Sequence, residues 1–530
     1  MIYDGAGGAP YEADVAVNGD EIAGIGDYSG ARGRTEIDAA GLAVSPGFIN
    51  MMSWAVDSLM VDGRAQSDIR QGVTLEVFGE GESWGPVNER TKEEMLRSQG
   101  DIRYDIEWTS LGDYLEFMEA RGVAPNFASY IGATTVRNYV IGEEDRAPTA
   151  EELAAMQELV REAMREGALG VASALIYAPG FYAKTDELVA LASAAGEFGG
   201  MYTSHLRSEG NALLEGVYEL IEIARQSGVR AEIYHFKQAG RANWPKIDAA
   251  IAAVEAARAE GLEITSDMYT YNASSTGLDT TLPPWSREGG QEEFIRRLKN
   301  PEIRASIIAD MRTPTDRWAQ YLAQNGPENI MLVGFKSDAL KPLTGKRLSE
   351  VAAERGTSAE DTIIDLLIED NSRIDAIYFA MSEENVKKAL VLPWMSICSD
   401  SPAIATEGVF LKSMTHPRTY GSFARLLGKY VREEKTLTLQ EAVRKMTSLP
   451  AHNLRIEQRG LLAPGYYADI AIFNPDTITD NATFAEPHQY ATGMVDVFVN
   501  GEAVLRDGEP TGALPGRVVR GPGWEGRVAR

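Results

Sequence analysis

Two histidines, each at the end of a short β-prone run, most strongly constrain how this chain can fold. Residues 202–205 and 231–235 each end on a histidine and then break into polar residues. Between them, residues 212–224 carry apolar side chains at helical spacing, which predicts a crossover helix joining two parallel strands. The carboxyl ends of such strands converge on one face of a (β/α)8 barrel, so His205 and His235 are candidates to share a metal ion. The alternative is that each histidine is a hydrogen-bonded structural residue.

The rest of the central chain repeats this alternation of strand and helix. Short apolar runs that predict strands occur at residues 43–49, 73–78, 126–131, 170–175, 264–269 and 395–400. Helical patterns such as residues 150–160 lie between most of them. Alternation over this length predicts an α/β protein with a (β/α)8 TIM-like barrel. A Pro- and charge-rich stretch at about residues 276–375 interrupts the pattern, and we expect a lid-like insertion there.

Both ends of the chain predict β-strands and hairpins, in contrast to the alternating strands and helices of the middle. Alternating runs at residues 13–17 and 21–26 flank Asn18-Gly19-Asp20, which is a strong hairpin signal. Residues 465–473 and 495–504 again predict strands. We therefore expect one small composite β-sandwich domain built from residues 1–45 and 456–530, with the barrel, residues 46–455, inserted between its halves.

Composition narrows the classes of partner. The net charge of −27 over 530 residues argues against a nucleic-acid partner, because the phosphate backbone would be repelled. The single cysteine, Cys398, excludes an intramolecular disulfide. There is no apolar run of about 18 residues, and no signal-peptide pattern at the start. We expect a cytoplasmic protein without a membrane partner, although a leader removed beforehand would leave no trace; a homo-oligomer is compatible with this sequence.

Several motifs, taken in order, resemble one enzyme family over nearly the whole chain. They lie at residues 43–49, 202–210, 399–400, 416–423, 460–462 and 465–470. The chain resembles the D-aminoacylase (N-acyl-D-amino-acid deacylase) branch of the amidohydrolase superfamily. This resemblance implies a metal-bearing barrel that hydrolyses an amide with an activated water. It also implies that His205 and His235 are metal ligands and that Asp400 is catalytic; the alternative for Asp400 is that it caps the next helix.

Two departures from the family pattern change the expected metal site. Met52 and Trp54 stand where the superfamily carries His-x-His after the first strand, and neither is a plausible zinc ligand. Trp54 is instead expected to fill the vacated volume or to form an aromatic wall. Where relatives carry a metal-binding cysteine, this chain has Gly-Glu-Gly-Glu, with Glu80 as the expected oxygen ligand and Glu76 and Glu82 as the alternatives. We therefore expect one Zn²⁺ held by His205, His235 and Glu80.

The remaining site residues are expected from the family pattern and from their chemistry. Asp400 would accept the proton of the water and hand it to the leaving amine. Residues expected to bind the carboxylate and carbonyl of the substrate are Lys237, Tyr177, Tyr269, Ser275 and Arg418. Arg207 and Glu209 are expected to pair beside His205 and orient it.

These expectations converge on a metal-dependent amidohydrolase that cleaves a small-molecule N-acyl amino acid. The D configuration rests on the resemblance alone. One alternative is a family member that hydrolyses a different C–N bond, in a small peptide or a cyclic amide. The other is a catalytically inactive barrel used for binding, which metal content would distinguish.

Overall fold

The computed structural model describes residues 1–524 and Gly526. The strands are β1 (Asp14–Asn18), β2 (Glu21–Gly26), β3 (Ala43–Pro46), β4 (Phe48–Asn50), β5 (Val73–Phe78), β6 (Asn126–Ser129), β7 (Ile131–Gly132), β8 (Gly170–Ala174), β9 (Met201–His205), β10 (Ala231–Ile233), β11 (Ile264–Met268), β12 (Ser274–Gly277), β13 (Ile330–Gly334), β14 (Asp375–Tyr378), β15 (Met395–Ile397), β16 (Ile470–Phe473), β17 (Met494–Val499), β18 (Glu502–Arg506) and β19 (Glu509–Pro510).

The helices are α1 (Val56–Leu59), α2 (Gln66–Ile69), α3 (Glu89–Ser98), α4 (Leu111–Arg121), α5 (Ala133–Val140), α6 (Ala150–Arg165), α7 (Thr185–Gly196), α8 (Leu213–Ser227), α9 (Ile247–Ala259), α10 (Gly290–Lys299), α11 (Pro301–Arg312), α12 (Tyr321–Asn325), α13 (Leu348–Arg355), α14 (Ala359–Asp370), α15 (Glu383–Leu390), α16 (Arg418–Arg425), α17 (Leu439–Met446) and α18 (Ser448–Leu454). A π-helical stretch, Leu426–Glu433, continues α16. None of the described helices combines the length and the apolar character needed to span a bilayer.

The parallel strands of the middle of the chain form the predicted barrel. One sheet has the order β15-β11-β10-β9-β8-β7, and a second has the order β4-β5-β6. The two sheets join where β6 runs on into β7, and the backbone N–H of Met51 donates to the carbonyl of Ile397 (3.4 Å) at the other seam. The described residues thus supply a closed ring of eight strand positions, and the predicted (β/α)8 fold is confirmed.

Local sequence explains why these elements form. Helix α6 begins at a capping box, in which Glu152 N–H donates to the Thr149 hydroxyl (3.2 Å) and Glu152 accepts from the Thr149 backbone N–H (2.7 Å). Its inward face buries Met156, Val160 and Met164. The barrel strands are buried along both faces because helices cover the outside and side chains fill the inside, so they appear in sequence as short apolar runs without alternation.

Both termini build one β domain, as the sequence predicts. The five-stranded sheet β19-β18-β17-β16-β3 combines an N-terminal strand with C-terminal ones, and β1 and β2 form the hairpin predicted from Asn18-Gly19. A separate apolar cluster, which includes Ile22, Val44 and Ile470, lies within this domain. The run at residues 43–49 is divided: β3 pairs with β16 of the β domain, and β4 enters the barrel. Positions 525 and 527–530 of the predicted C-terminal part lie outside the described residues.

The segment between β11 and β15 is a folded unit with its own core. Strands β12, β14 and β13 pair in antiparallel fashion, and helices α10 to α14 pack beside them. Phe294, Leu332 and Leu367 are fully buried in an apolar cluster separate from the barrel core. The Pro- and charge-rich composition predicted a long excursion, but not this sheet, because its strands pair across large sequence distances. Its role as a lid stays a prediction.

Candidate metal centre and active site

Three side chains from neighbouring strand ends meet at the carboxyl face of the barrel. Glu80 follows β5, His205 ends β9 and His235 follows β10. Glu80 Oε1 lies 2.9 Å from His205 Nδ1 and 3.1 Å from His235 Nε2. One ligand atom from each residue falls within 4.8 Å of the others, and all three residues are buried. A buried carboxylate oxygen and two imidazole nitrogens form a donor set that suits a zinc-type ion.

Two glycines allow Glu80 to reach this position. Gly79 and Gly81 have φ values of 111° and 71°, a region that favours glycine. A Cβ atom on Gly79 would lie 2.8 Å from the carbonyl oxygen of Tyr130, and one on Gly81 would lie 2.6 Å from the Cβ of Ala174. The Gly-Glu-Gly sequence therefore lets the loop pass close to two neighbouring strands while its central carboxylate turns inward.

The two register alternatives to Glu80 lie outside this cluster. Glu76 is buried within β5, where its Oε2 accepts a hydrogen bond from the side-chain amide of Asn50 (2.9 Å). Glu82 is exposed. Among the described residues, the only group of three or more possible metal ligands is Glu80, His205 and His235.

A second carboxylate, Glu209, faces the outer nitrogens of both histidine rings. Glu209 Oε1 lies 3.0 Å from His235 Nδ1, and Oε2 lies 3.7 Å from His205 Nε2. Neither contact has the alignment of a good hydrogen bond, so the attraction is mainly electrostatic. Lys237 Nζ donates to Glu209 Oε1 (2.6 Å), and Tyr321 of the inserted segment donates to Oε2 (3.4 Å). Glu209 thus fixes the ring orientations from behind the donor cluster.

The buried carboxylates and histidines of this cluster shift one another's pKa values. Burial acts to raise the pKa of Glu80, but its contacts with His205 and His235 outweigh burial and lower that pKa. Burial and Lys237 act to lower the pKa of His235, whereas Glu209 and Glu80 raise it to about 10. Burial lowers the pKa of His205. His235 therefore carries the proton that offsets the carboxylates, and a divalent cation would displace that proton.

Asp400 lies beside the cluster and is paired with an arginine. Arg418 Nη1 lies 2.6 Å from Asp400 Oδ2. Burial raises the pKa of Asp400 to about 6, although Arg418 opposes that rise. No helix begins directly after Asp400 in the described chain, so the capping alternative does not apply. Asp400 and His235 have φ values of 50° and 35°, and such strained backbone is concentrated at functional sites.

The residues predicted to bind substrate have different partners in the structure. The Tyr177 ring lies 5.5 Å from the His205 ring, and its hydroxyl shares a hydrogen bond with Thr276 (2.8 Å). Two cations lie close to the Tyr269 ring, with Lys237 Nζ at 5.7 Å and the Arg418 guanidinium at 4.5 Å from its centroid. The ammonium group of Lys237 is paired with the carboxylate of Glu209. Ser275 donates its hydroxyl to the carbonyl of Ala376 (3.1 Å) within the inserted sheet.

One predicted pairing is wrong. Arg207 does not pair with Glu209; its guanidinium binds Glu219 of helix α8, with an Nε–Oε2 distance of 2.9 Å, and donates to the carbonyls of Phe181 and Ala183. Glu209 turns instead towards Lys237. Side chains two positions apart share a face only within a strand, and Arg207 and Glu209 both lie beyond the end of β9, where that rule no longer applies.

Two further contacts at the site were not predicted from the sequence, although Trp54 itself was expected there as a filler of space or an aromatic wall. The indole N–H of Trp54 donates to Glu80 Oε2 (2.9 Å). Arg373, from the inserted segment, stacks over the Tyr177 ring at 4.7 Å and donates to Asp279 (3.3 Å). Both contacts join segments far apart in the chain, so only the tertiary structure reveals them.

The chain is similar over nearly its whole length to known deacylases. A model of the amidohydrolase family matches residues 35–505. The chain is 33% identical over 523 residues to a D-aminoacylase of Alcaligenes xylosoxydans xylosoxydans, covering 98% of this chain and 96% of that protein. It is also similar to the structure of an N-acyl-D-glutamate deacylase from Bordetella bronchiseptica complexed with zinc and a phosphonate inhibitor (TM-score 0.80, 30% identity, 98% of each chain). A D-aminoacylase structure with a binuclear metal centre, characterised by one-metal activation and second-metal attenuation, is similar as well (TM-score 0.81, 32% identity, 98% of each chain).

Proposed function

This chain belongs to the amidohydrolase family, and we propose on that premise that it hydrolyses the amide bond of N-acyl amino acids, with preference for the D configuration. The observation that carries the proposal is the buried cluster of Glu80, His205 and His235 beside Asp400, in a chain similar to D-aminoacylase along 98% of its length. The preference for D substrates comes from the relatives, which are named for D-amino-acid derivatives.

The donor set fits one zinc ion. Glu80 Oε1, His205 Nδ1 and His235 Nε2 would hold it, because these three buried atoms already point at one another and three protein ligands leave a fourth position open. A zinc ion bound there would polarise the scissile carbonyl and lower the pKa of water towards about 7. Glu209 contributes by fixing both histidine rings, and Lys237 and Tyr321 in turn fix Glu209.

Asp400 moves the protons of the reaction. Its carboxylate accepts a proton from the attacking water as the water oxygen bonds to the carbonyl carbon. It then delivers the proton to the leaving nitrogen as the C–N bond breaks, which regenerates the carboxylate and releases a carboxylic acid and an amine. A pKa of about 6 suits both directions of transfer near neutral pH. Arg418 holds Asp400 in place through their 2.6 Å contact.

The surrounding residues are proposed to position the substrate. Tyr177 and Tyr269 would form aromatic walls on either side of the metal cluster, and Arg418 and Lys237 would supply positive charge towards the carboxylate of the N-acyl amino acid. Ser275 is proposed to act through its carbonyl oxygen, which already accepts from Arg418 Nη2 (3.4 Å).

The test combines metal content with a substrate panel. Wild-type protein, His205→Ala and Asp400→Asn are assayed on N-acyl-D- and N-acyl-L-amino acids, dipeptides and cyclic amides, and zinc is measured on the same samples. We expect the wild type to hydrolyse N-acyl-D-amino acids, His205→Ala to lose zinc and activity together, and Asp400→Asn to keep zinc while losing activity. Hydrolysis of dipeptides or cyclic amides alone would move the assignment to another C–N bond. Absence of both zinc and turnover after zinc addition would contradict the proposal.

A further inference from the structure

The carboxylate of Glu80 has a different partner on each oxygen. Oε1 faces the two histidines at 2.9 Å and 3.1 Å. Oε2 accepts a hydrogen bond from the indole N–H of Trp54 at 2.9 Å. A D-aminoacylase of similar structure is described as having a binuclear metal centre. Two cations in such a centre lie about 3.5–4 Å apart, so a second ion beside the Glu80 site would lie within reach of its other oxygen. Here the oxygen that a second cation would need is already occupied by a protein donor.

We propose that Trp54 takes the place of a second metal ion: its indole N–H holds the free oxygen of Glu80 and closes the second cation position, so that the site binds a single metal. The inference rests on the proposed function, because it concerns the same centre. It identifies Trp54 as a positioning residue that acts on the metal site through Glu80.

The backbone around Trp54 keeps the indole in this position. The Trp54 N–H donates to the carbonyl of Ser401 (3.0 Å), and the preceding Ser53 N–H donates to Val77 (2.9 Å). The carbonyl of Met52 accepts from the N–H of Asp400 (3.0 Å). The backbone of this segment is therefore hydrogen-bonded to neighbouring strand ends on both sides, which holds the main chain of Trp54 beside Glu80.

The chemistry of the neighbouring groups also disfavours a second cation. An indole nitrogen is only a donor, and a thioether such as that of Met52 is a poor ligand for zinc. The carboxylate of Asp400 is paired with the guanidinium of Arg418 at 2.6 Å, whose positive charge would repel a second divalent ion. No second group of three metal-ligating side chains occurs in the described part of the chain.

A metal titration tests the closure of the second position. Zinc per chain is measured by elemental analysis and native mass spectrometry, without substrate, on the wild type, a Met52→His/Trp54→His variant and a Met52→Leu control that keeps Trp54. We expect about one ion in the wild type and in the control, and about two in the double-histidine variant. Two ions in the wild type, or only one in a folded double-histidine variant, would overturn the proposal.

Removal of the N–H alone tests the hydrogen bond. Trp54→Phe keeps an aromatic ring but leaves Glu80 Oε2 without its donor, and we expect metal affinity to fall about 10- to 100-fold with an unchanged circular-dichroism spectrum. A purely structural role for Trp54 predicts unchanged metal affinity, and that result would overturn the proposal.

The failure of this inference can be told apart from the failure of the proposed function. A wild type that binds one zinc but does not hydrolyse N-acyl amino acids would contradict the proposed function and leave this inference standing. A wild type that binds no metal would overturn both.

Discussion

At the scale of single residues, Asp400 and Arg418 form a pair whose charges depend on each other. Burial raises the pKa of the Asp400 carboxyl to about 6 and Arg418 lowers it. Because Asp400 must be ionised to act as the proposed general base, we expect kcat/KM to be maximal above about pH 6 and to fall as the pH drops through that value. Arg418→Met removes the lowering influence, so its acidic limb should lie at higher pH than that of the wild type.

The control for this prediction lies on the same helix. Arg425 pairs with Asp480 at 2.9 Å rather than with Asp400. Arg425→Met should therefore leave the position of the acidic limb unchanged. The dependence of kcat/KM on pH is measured for the wild type and both variants. An Arg418→Met profile that coincides with that of the wild type would contradict the predicted influence of Arg418 on the pKa of Asp400.

Glu209 and Lys237 form a buried ion pair behind the histidine rings. Glu209→Gln leaves the ammonium of Lys237 buried without its carboxylate, which should cost about 3–5 kcal/mol in the free energy of unfolding. Glu209→Gln/Lys237→Met removes both charges and should recover most of that loss. Metal affinity should stay about 10- to 100-fold lower in both variants, because the histidine rings have lost the carboxylate behind them.

Denaturant unfolding and zinc titration measure these two effects separately. If Lys237→Met alone were as destabilising as the double variant but Glu209→Gln were neutral, the buried pair would not be the source of the stability.

At the scale of elements, the sequence predicted those parts of the site that follow from local pattern. His205 and His235 each end a buried run, and Glu80 lies between two glycines, so their meeting at one barrel face follows from strand polarity. The Trp54–Glu80 hydrogen bond could not be predicted in this way, because the indole reaches a residue on another strand end. The choice of Lys237 rather than Arg207 as partner of Glu209 likewise depends on side-chain directions that strand prediction does not supply.

The inserted segment brings a charged residue, Arg373, to Tyr177 beside the candidate metal cluster. The Arg373 guanidinium stacks on Tyr177, and its side chain is 46% exposed. A cation in this position should attract the carboxylate of an N-acyl amino acid, so we expect Arg373→Met to raise KM about tenfold with little change in kcat.

A matched control for Arg373 is available in the same segment. Arg347 also stacks on an aromatic ring, that of Phe379 at 3.9 Å. Arg347→Met should therefore leave KM unchanged. The KM and kcat of the three proteins are measured by steady-state kinetics on N-acyl-D-amino acids. Equal KM values for wild type and Arg373→Met would exclude a substrate role for this arginine.

At the scale of the whole molecule, the family resemblance predicted from scattered motifs is confirmed by similarity along 98% of the chain. One of those motifs, residues 465–470, explains how the β domain is attached to the barrel. Asp469 accepts from the side-chain amide of Asn126 on β6 (3.3 Å), from the backbone N–H of Asn500 (2.8 Å) and from Arg459. Because β6 belongs to the barrel and Asn500 follows β17, a single buried carboxylate connects both units.

This connection predicts that one β-domain carboxylate stabilises the whole chain. Asp469→Ala leaves the buried Arg459 guanidinium unpaired and removes the acceptor of Asn126 and Asn500, at a cost of about 3–5 kcal/mol. Asp476→Ala, at an exposed position of the same domain, should have almost no effect. Guanidinium unfolding followed by tryptophan fluorescence should show a lower midpoint for Asp469→Ala alone. Zinc retention on mild heating should also be lower, since the proposed metal ligands lie in the barrel to which this carboxylate connects the β domain. If the two variants had equal midpoints, the β domain would contribute to the fold independently of the barrel.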